Sequence, residues 1–445
     1  MKRAVVVGAG IAGLTAAYRL QQAGLEVKVF EKENYVGGRM RSEKIAGIIL
    51  DYGAQFFYDE YKSTFALCRE LGLAAELHRF DEPYGVFRGG RIHVLEPPRR
   101  NPWSGLCFGA ISFSSKLKLA KAVLTILRHR RRFDLHHPED RIIFDTESVA
   151  DYCRRELNEE ILEYLAQPLV CGLTLGEPEE MSKATFLSTL QHQMMCRLYT
   201  LRGGIGSLPE AVAGKLAVHL QTEVLRLEVQ GGAFRSLTLR DAAGQSQVEA
   251  DLAILAVPAP LVPRLVPDLK PEVKTFFEST KYSRCAATAF GLEKRITGSI
   301  YAVTTPRQEG TCFTAFSENA IKCPSYAPPG GGSITAFPAG KKGDALFDQP
   351  DEAVSAAVWS DLRRVVPAAP EQPAFARVQR FPQALVLFRT GFLQAAEQFK
   401  QMDPGIDGLH FAGDYLMTAA VEGSVESGIQ AAARALRGQR RIRGN

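Results

Sequence analysis

The chain opens on an apolar run, Ala4-Val5-Val6-Val7, which suits a short strand buried on both faces. Glycines follow at 8, 10 and 13. Leu14, Ala17, Leu20 and Ala23 then recur at helical spacing as far as Gly24, and Glu26 to Phe30 reads as a second strand. The pattern predicts strand, helix, strand. At the far end Leu409-His410-Phe411 predicts another short strand, and Ile429, Ala432, Ala433 and Leu436 predict a helix opening at Glu422. Val224, Leu225, Leu227 and Val229 mark a strand in between, as does Ala286 to Leu292. Phe113 to Phe133 predicts a helix carrying Leu117, Leu119, Val123, Leu124, Ile126 and Leu127 among Lys116, Lys118, Lys121 and Arg128. No uninterrupted apolar stretch approaches the ~18 residues that cross a bilayer.

The glycines after the first strand have separate physical roles. Gly8 permits the tight turn, Gly10 lets a pyrophosphate approach the backbone, and Gly13 lets helix and strand pack closely. The helix start at Ile11 and Ala12 offers free N–H groups and a positive dipole end to phosphate. Glu31 lies about 20 residues on, where an acid accepts hydrogen bonds from ribose hydroxyls, with Lys32 beside it. Together these predict a dinucleotide site rather than a glycine-rich turn in an unrelated α/β domain.

Val36-Gly37-Gly38-Arg39 and Gly53-Ala54-Gln55-Phe56 then resemble the FAD-binding segment of the flavin-containing amine oxidase superfamily. Ala412-Gly413-Asp414, Glu422-Gly423, Ser427-Gly428 and Ala431-Ala432 resemble that superfamily's C-terminal FAD motif. The resemblance implies FAD as cofactor. It implies Arg39 at the diphosphate, with Gly38, Gly53, Ala54 and Gln55 along the cofactor. It puts Gly413 and Asp414 at the ribityl–phosphate part, and Val421 and Glu422 where a helix N-terminus underlies the flavin pyrimidine ring. It aligns Val224 with a residue whose backbone meets the adenine. Ser148-Val149-Ala150-Asp151-Tyr152, Pro168-Leu169-Val170-Cys171-Gly172 and Gly203-Gly204-Ile205-Gly206-Ser207-Leu208-Pro209 are similar to the protoporphyrinogen oxidase-like branch.

Two motifs ~400 residues apart must meet on one cofactor, which makes the cofactor domain discontinuous. The expected fold is α/β: a Rossmann-like FAD-binding domain from 1–80, 200–270 and 385–445, with an inserted α+β substrate-binding domain from 81–199 and 271–384. The inserted part includes a helical segment at 113–199.

Composition narrows the class. The 445 residues are 46% hydrophobic and 23% charged, which excludes a disordered chain. The formal charge of +5 is small and partly local, at Arg128 to Arg132 and in the tail Arg437 to Arg443, so no nucleic-acid partner is expected. The basic helix at 113–133 reads first as a solvated face packed on the core, with peripheral contact to an anionic membrane as the alternative. The eight cysteines form no CxxC pair and no zinc-finger spacing, so no metal site is expected and the thiols read as reduced. Met1-Lys2-Arg3 leads into an apolar run too short for a signal peptide. The expected location is cytoplasmic, with a membrane periphery as the variant.

The chemistry expected from the resemblance is dehydrogenation of a bulky, mainly apolar or cyclic small molecule, by hydride transfer to flavin N5. Protoporphyrinogen-like substrates come first and polyene or terpenoid precursors second. An amine oxidase forming an imine, a redox-neutral isomerase or cyclase, and a non-catalytic FAD-binding scaffold are the alternatives. Amine oxidases of the superfamily cage the substrate nitrogen with aromatic residues; here Tyr415 is the one aromatic between 415 and 421, and the chain has two tryptophans. No catalytic side chain is assigned. His192 reads as a core or surface residue with a place in the substrate cavity as the alternative, and Lys281 carries no motif that gives it a role.

Overall fold

The computed structural model describes residues 2–442, with side chains described as far as Gly438. The predicted opening is observed as strand Arg3–Val7, helix Ile11–Gln22 and strand Glu26–Phe30. Val5, Val6 and Val7 are buried because strands flank them on both sides: Val5 faces Lys28 on one and Ala253 on the other, both parallel. The complete sheet runs Ala217–His219, Glu26–Phe30, Arg3–Val7, Leu252–Leu255, Leu409–Phe411, all parallel. The start, the middle and the end of the chain therefore share one sheet. An antiparallel ribbon, Glu223–Gln230, Ala233–Asp241 and Gly244–Glu249, joins two of its strands.

The turn after the first strand is held by Gly8. Its φ of +102° lies in the region that side chains avoid, and a Cβ there would stand 2.6 Å from the Ala256 carbonyl oxygen. The last helix, Val421–Ile442, crosses the first at Gly428, where a Cβ would stand 2.3 Å from the Ala12 carbonyl oxygen. This crossing is the contact through which the C-terminal motif reaches the N-terminal one.

A second sheet of seven strands has the order Phe375–Phe381, Cys285–Leu292, Gly332–Phe337, Ala315–Glu318, Ala302–Thr304, Tyr84–Arg88, Arg91–Leu95. Helix Asp351–Val365 packs on it through Val358, Trp359 and Leu362. Helices from Phe113–His129 to Lys183–Met195 form a third body. Three expected boundaries shift. The basic helix ends at His129, and Arg130–Phe133 is a separate 3₁₀ turn. The division drawn at 199/200 falls inside strand Leu198–Leu201, which pairs with Phe57–Tyr58 and Leu77–Phe80. Helix Pro271–Ser279, expected in the inserted part, packs Phe276 and Phe277 against Phe399, Phe411 and Tyr415 beside the parallel sheet. Of the basic tail, Arg440 and Arg441 lie outside the described side chains, and Arg443 lies outside the described residues. No described helix is long and apolar enough to cross a membrane.

Candidate active site

One cavity of about 1400 Å³ runs between the parallel sheet, the seven-stranded sheet and the helical body. Single small ligands occupy about 300–1,000 Å³, so this volume takes a cofactor and a substrate together. Gly8, Gly10, Ile11, Ala12, Glu31 and Lys32 line one end. Gly38, Arg39, Gly53, Ala54 and Gln55 follow, with Val224 nearby, and Gly413, Asp414 and Val421 line a further part. Two expected residues are not in the wall. Gly13 packs against the first turn, where a Cβ would stand 2.1 Å from the Gly8 carbonyl oxygen. Glu422 turns away, as described below.

The wall fits a dinucleotide on three observations. Gly10 has extended backbone, carries no side-chain cap for the first helix, and a Cβ there would meet no protein atom within 4 Å. The helix start therefore faces the cavity with unsatisfied N–H groups. Glu31 is preset by its own backbone: its carboxylate accepts from Ala9 N at 2.8 Å and Glu33 N at 3.0 Å. Near the last helix, Thr418 lines the cavity with a buried Oγ1 that has no hydrogen-bond partner. These residues would hold FAD.

Arg39 supplies a fixed cation to this wall. Its guanidinium donates to both oxygens of Asp414, at 2.7 and 3.1 Å, and to the Ala384 carbonyl oxygen at 3.1 Å. Burial pulls its pKa down, but the Asp414 carboxylate outweighs that and the net shift is upward. The pair joins residues from the two expected motifs.

Glu422 opens the last helix, but its carboxylate serves another one. It accepts from Ser63 N at 2.7 Å, Thr64 N at 2.9 Å and Thr64 Oγ1 at 2.6 Å, at the start of helix Lys62–Glu70. His136 Nε2 lies 2.7 Å from it, and that hydrogen bond lifts the His136 imidazole to about 9. The Glu422 carboxylate thus caps a neighbouring helix, while its backbone opens the last helix, where the resemblance puts the flavin pyrimidine ring.

Beneath the cavity lies a buried ion pair that sequence reasoning missed. Lys322 Nζ stands 2.7 Å from Asp51 Oδ2, with both side chains fully buried. Tyr326 OH donates to the same oxygen at 2.7 Å, and Ser42 Oγ and Ile205 N donate to Oδ1. Lys322 also donates to the Gln55 carbonyl oxygen at 2.9 Å, so the pair fixes the segment that lines the cavity.

The substrate part of the wall is mostly apolar, including Leu165, Leu169, Leu261 and Phe388. A buried charged group lies among these residues. Arg141, in the 3₁₀ segment Pro138–Phe144, is 7% exposed, and its Nε and Nη2 have no hydrogen-bond partner. Burial pulls the guanidinium down to about 10, and it stays charged at neutral pH. Arg141 was not legible in the sequence, where Glu139-Asp140-Arg141 looks like a polar turn. His192 does line the cavity and is buried. Lys281 is not in the wall; its Nζ donates to the Glu278 carbonyl oxygen at 3.4 Å. Neither tryptophan lines it: Trp103 is 67% exposed and Trp359 packs on the seven-stranded sheet. Tyr415 is fully buried outside it, and the aromatic wall consists of Tyr58, Tyr61, Tyr84 and Tyr301 among others.

Comparison with known proteins agrees with this geometry. The profile of a family described as flavin containing amine oxidoreductase matches residues 11–436. Protoporphyrinogen oxidase 2 of Arabidopsis thaliana is 24% identical, over 97% of this chain and 93% of that protein. Coproporphyrinogen III oxidase of Bacillus subtilis is 24% identical, over 95% and 94%. The solved structure of cyclohexylamine oxidase from Brevibacterium oxydans has a TM-score of 0.76 at 18% identity, covering 99% of each chain.

Proposed function

The chain belongs to the flavin-containing amine oxidoreductase family and is an FAD-dependent oxidase, and from that premise we propose that it dehydrogenates a carboxylate-bearing porphyrinogen. The observation that carries the reading is Arg141. An unpaired guanidinium in an apolar wall is costly until a ligand satisfies it. A carboxylate does so with two parallel hydrogen bonds. A substrate ammonium would instead meet a buried like charge, which disfavours the amine reading. The relatives named for protoporphyrinogen and coproporphyrinogen support the macrocycle.

Bound FAD supplies the hydride acceptor at its N5. The chain's part is position and dryness. In this reading the Rossmann-like domain holds the cofactor through Gly10, Glu31 and Arg39, and the inserted domain presents the substrate. Leu165, Leu169 and Phe388 exclude water, and Arg141 fixes the carboxylate end so that one C–H bond faces the cofactor. No side-chain base is required for that transfer.

The test is anaerobic mixing with porphyrinogens, polyenes and amines. Coproporphyrinogen or protoporphyrinogen should bleach the flavin absorbance. Arg141→Leu should raise KM roughly 10- to 150-fold with kcat little changed, the loss of one charge-assisted contact made equally before and during reaction. Faster bleaching by an amine or a neutral polyene sinks the proposal. Product without bleaching would point to isomerisation, and no turnover at all to a scaffold.

The reading extends to a membrane periphery. Phe113, Leu117, Leu124 and Leu127 form one exposed stripe at helical spacing, while Leu119, Ala122, Val123 and Ile126 face inward. Trp103 and Leu106 are exposed beside them, and Leu106, Lys116 and Leu119 also line the cavity. An apolar stripe rimmed by Lys118, Lys121 and Arg128 suits an anionic bilayer. Co-sedimentation with vesicles should require phosphatidylserine and be lost in Leu117→Asp/Leu124→Asp. Equal recovery with pure phosphatidylcholine, or no effect of the double substitution, counts against it.

A further inference from the structure

Away from the residues that would hold FAD, three potential ligand atoms converge where the sequence shows no motif. Glu60 follows strand Phe57–Tyr58, His192 lies near the end of helix Lys183–Met195, and Cys196 is that helix's C-cap. One ligand atom from each lies within 4.8 Å of the other two. Residues 192 and 196 share a helix face through their four-residue spacing. Glu60 is brought to them by backbone. Tyr58 pairs with Leu198, Asp59 N donates to the Arg197 carbonyl oxygen at 3.0 Å, and Arg197 N donates to Asp59 Oδ1 at 3.0 Å.

The orientation of His192 gives the cluster its meaning. Its Nδ1 lies 2.5 Å from the Ser188 carbonyl oxygen, which can only accept. Nδ1 therefore carries the proton, and in the neutral ring Nε2 is a lone pair. That Nε2 is buried, has no hydrogen-bond partner, and lies 3.3 Å from Glu60 Oε2. Two lone pairs face one another across that gap. Stacking on Tyr58, with ring centres 5.1 Å apart, keeps the ring in place. A cation between the atoms resolves the conflict. The 3.3 Å gap matches the separation of about 3.3–3.8 Å between ligands of tetrahedral zinc with bonds of 2.0–2.3 Å. A histidine held through its other nitrogen by a backbone carbonyl is the usual outer support of a metal ligand.

The geometry points to a site for one zinc-like divalent ion, held by Glu60 Oε2, His192 Nε2 and Cys196 Sγ. Carboxylate, imidazole and thiolate together suit zinc rather than magnesium or calcium. Three protein ligands leave a fourth position for water. Binding breaks the Cys196 S–H bond and passes its proton to solvent, with no change of oxidation state. The ion would clip the segment after Tyr58 to the helix that lines the substrate cavity.

The test uses the FAD-loaded protein, freed of metal with a chelator and titrated with zinc chloride against a chromophoric indicator. One zinc per chain is expected. Glu60→Gln and Cys196→Ser should each weaken it at least about tenfold, with FAD content unchanged. Cys107→Ser, removing an exposed thiol, should leave it unchanged. No binding tighter than about 100 μM overturns the site. Binding that survives both ligand substitutions, or is lost in Cys107→Ser, overturns it as well. If Cys196→Ser does not fold, Glu60→Gln decides, because that side chain is 44% exposed and its loss leaves the core intact.

Discussion

Replacing Gly10 by valine is expected to give a folded, colourless protein. Two facts separate this outcome from simple misfolding. Gly10 has φ −69° and ψ 165°, a conformation that valine adopts readily. A Cβ there meets no protein atom within 4 Å, so the substitution leaves the packing alone. The new side chain would instead stand in the cavity at the start of the first helix, where the diphosphate must approach the backbone. FAD released on denaturation, counted per chain, should fall to near zero while circular dichroism stays native. A variant that purifies yellow and fully loaded refutes the assignment of this helix end to the cofactor.

Lys322→Met is expected to be the costliest single change in the core. The substitution leaves Asp51 as a fully buried carboxylate whose cation is gone. Removing one partner of a buried pair costs about 3–5 kcal/mol, much more than the pair contributes over an apolar replacement. The same change releases the Gln55 carbonyl, so FAD retention should weaken as well. Asp51→Asn in the Lys322→Met background should recover most of the loss, because the uncompensated charge is removed, Ser42 Oγ and Ile205 N keep the amide oxygen as acceptor, and Tyr326 OH can accept from the amide nitrogen. Urea midpoints of the single and double variants measure this. A Lys322→Met midpoint within error of wild type, or a double variant no better than the single, would show that the pair does not behave as a coupled unit.

The parts of this molecule that sequence reveals are those written in neighbouring residues. Gly8 to Gly13, Glu31 and Leu409 to Asp414 carry their chemistry within a few positions, and Gly8, Gly10, Ile11, Ala12, Glu31, Gly413 and Asp414 line one cavity together. The parts it hides depend on distant partners. Lys322 looks like a surface lysine on a short helix, and its acid is 271 residues away. Arg141 sits in a charged triplet, and only tertiary packing turns it inward. Leu198–Leu201 follows the helical segment directly in the sequence, yet its strand partners begin at Phe57 and Leu77. Glu422 stands in a motif, but its carboxylate is claimed by Ser63, Thr64 and His136. Backbone-defined motifs transfer from one family member to another; side-chain directions depend on the neighbours each member happens to have.

The closing of the parallel sheet by Leu409–Phe411, and of the cavity by Val421, has a consequence during synthesis. The first helix and its phosphate-binding turn are made well before the second motif, and Arg39 has no Asp414 and Thr64 no Glu422 until residues 414–422 have been added. At about 5–20 residues per second, the interval between the two motifs lasts roughly 20–80 s. Through that time the nascent chain carries half a nucleotide site and an uncovered sheet edge. Capture of FAD is thus deferred until residues beyond Gly428 can cross the first helix, and a chain released early meets quality control as an apoprotein with its sheet open.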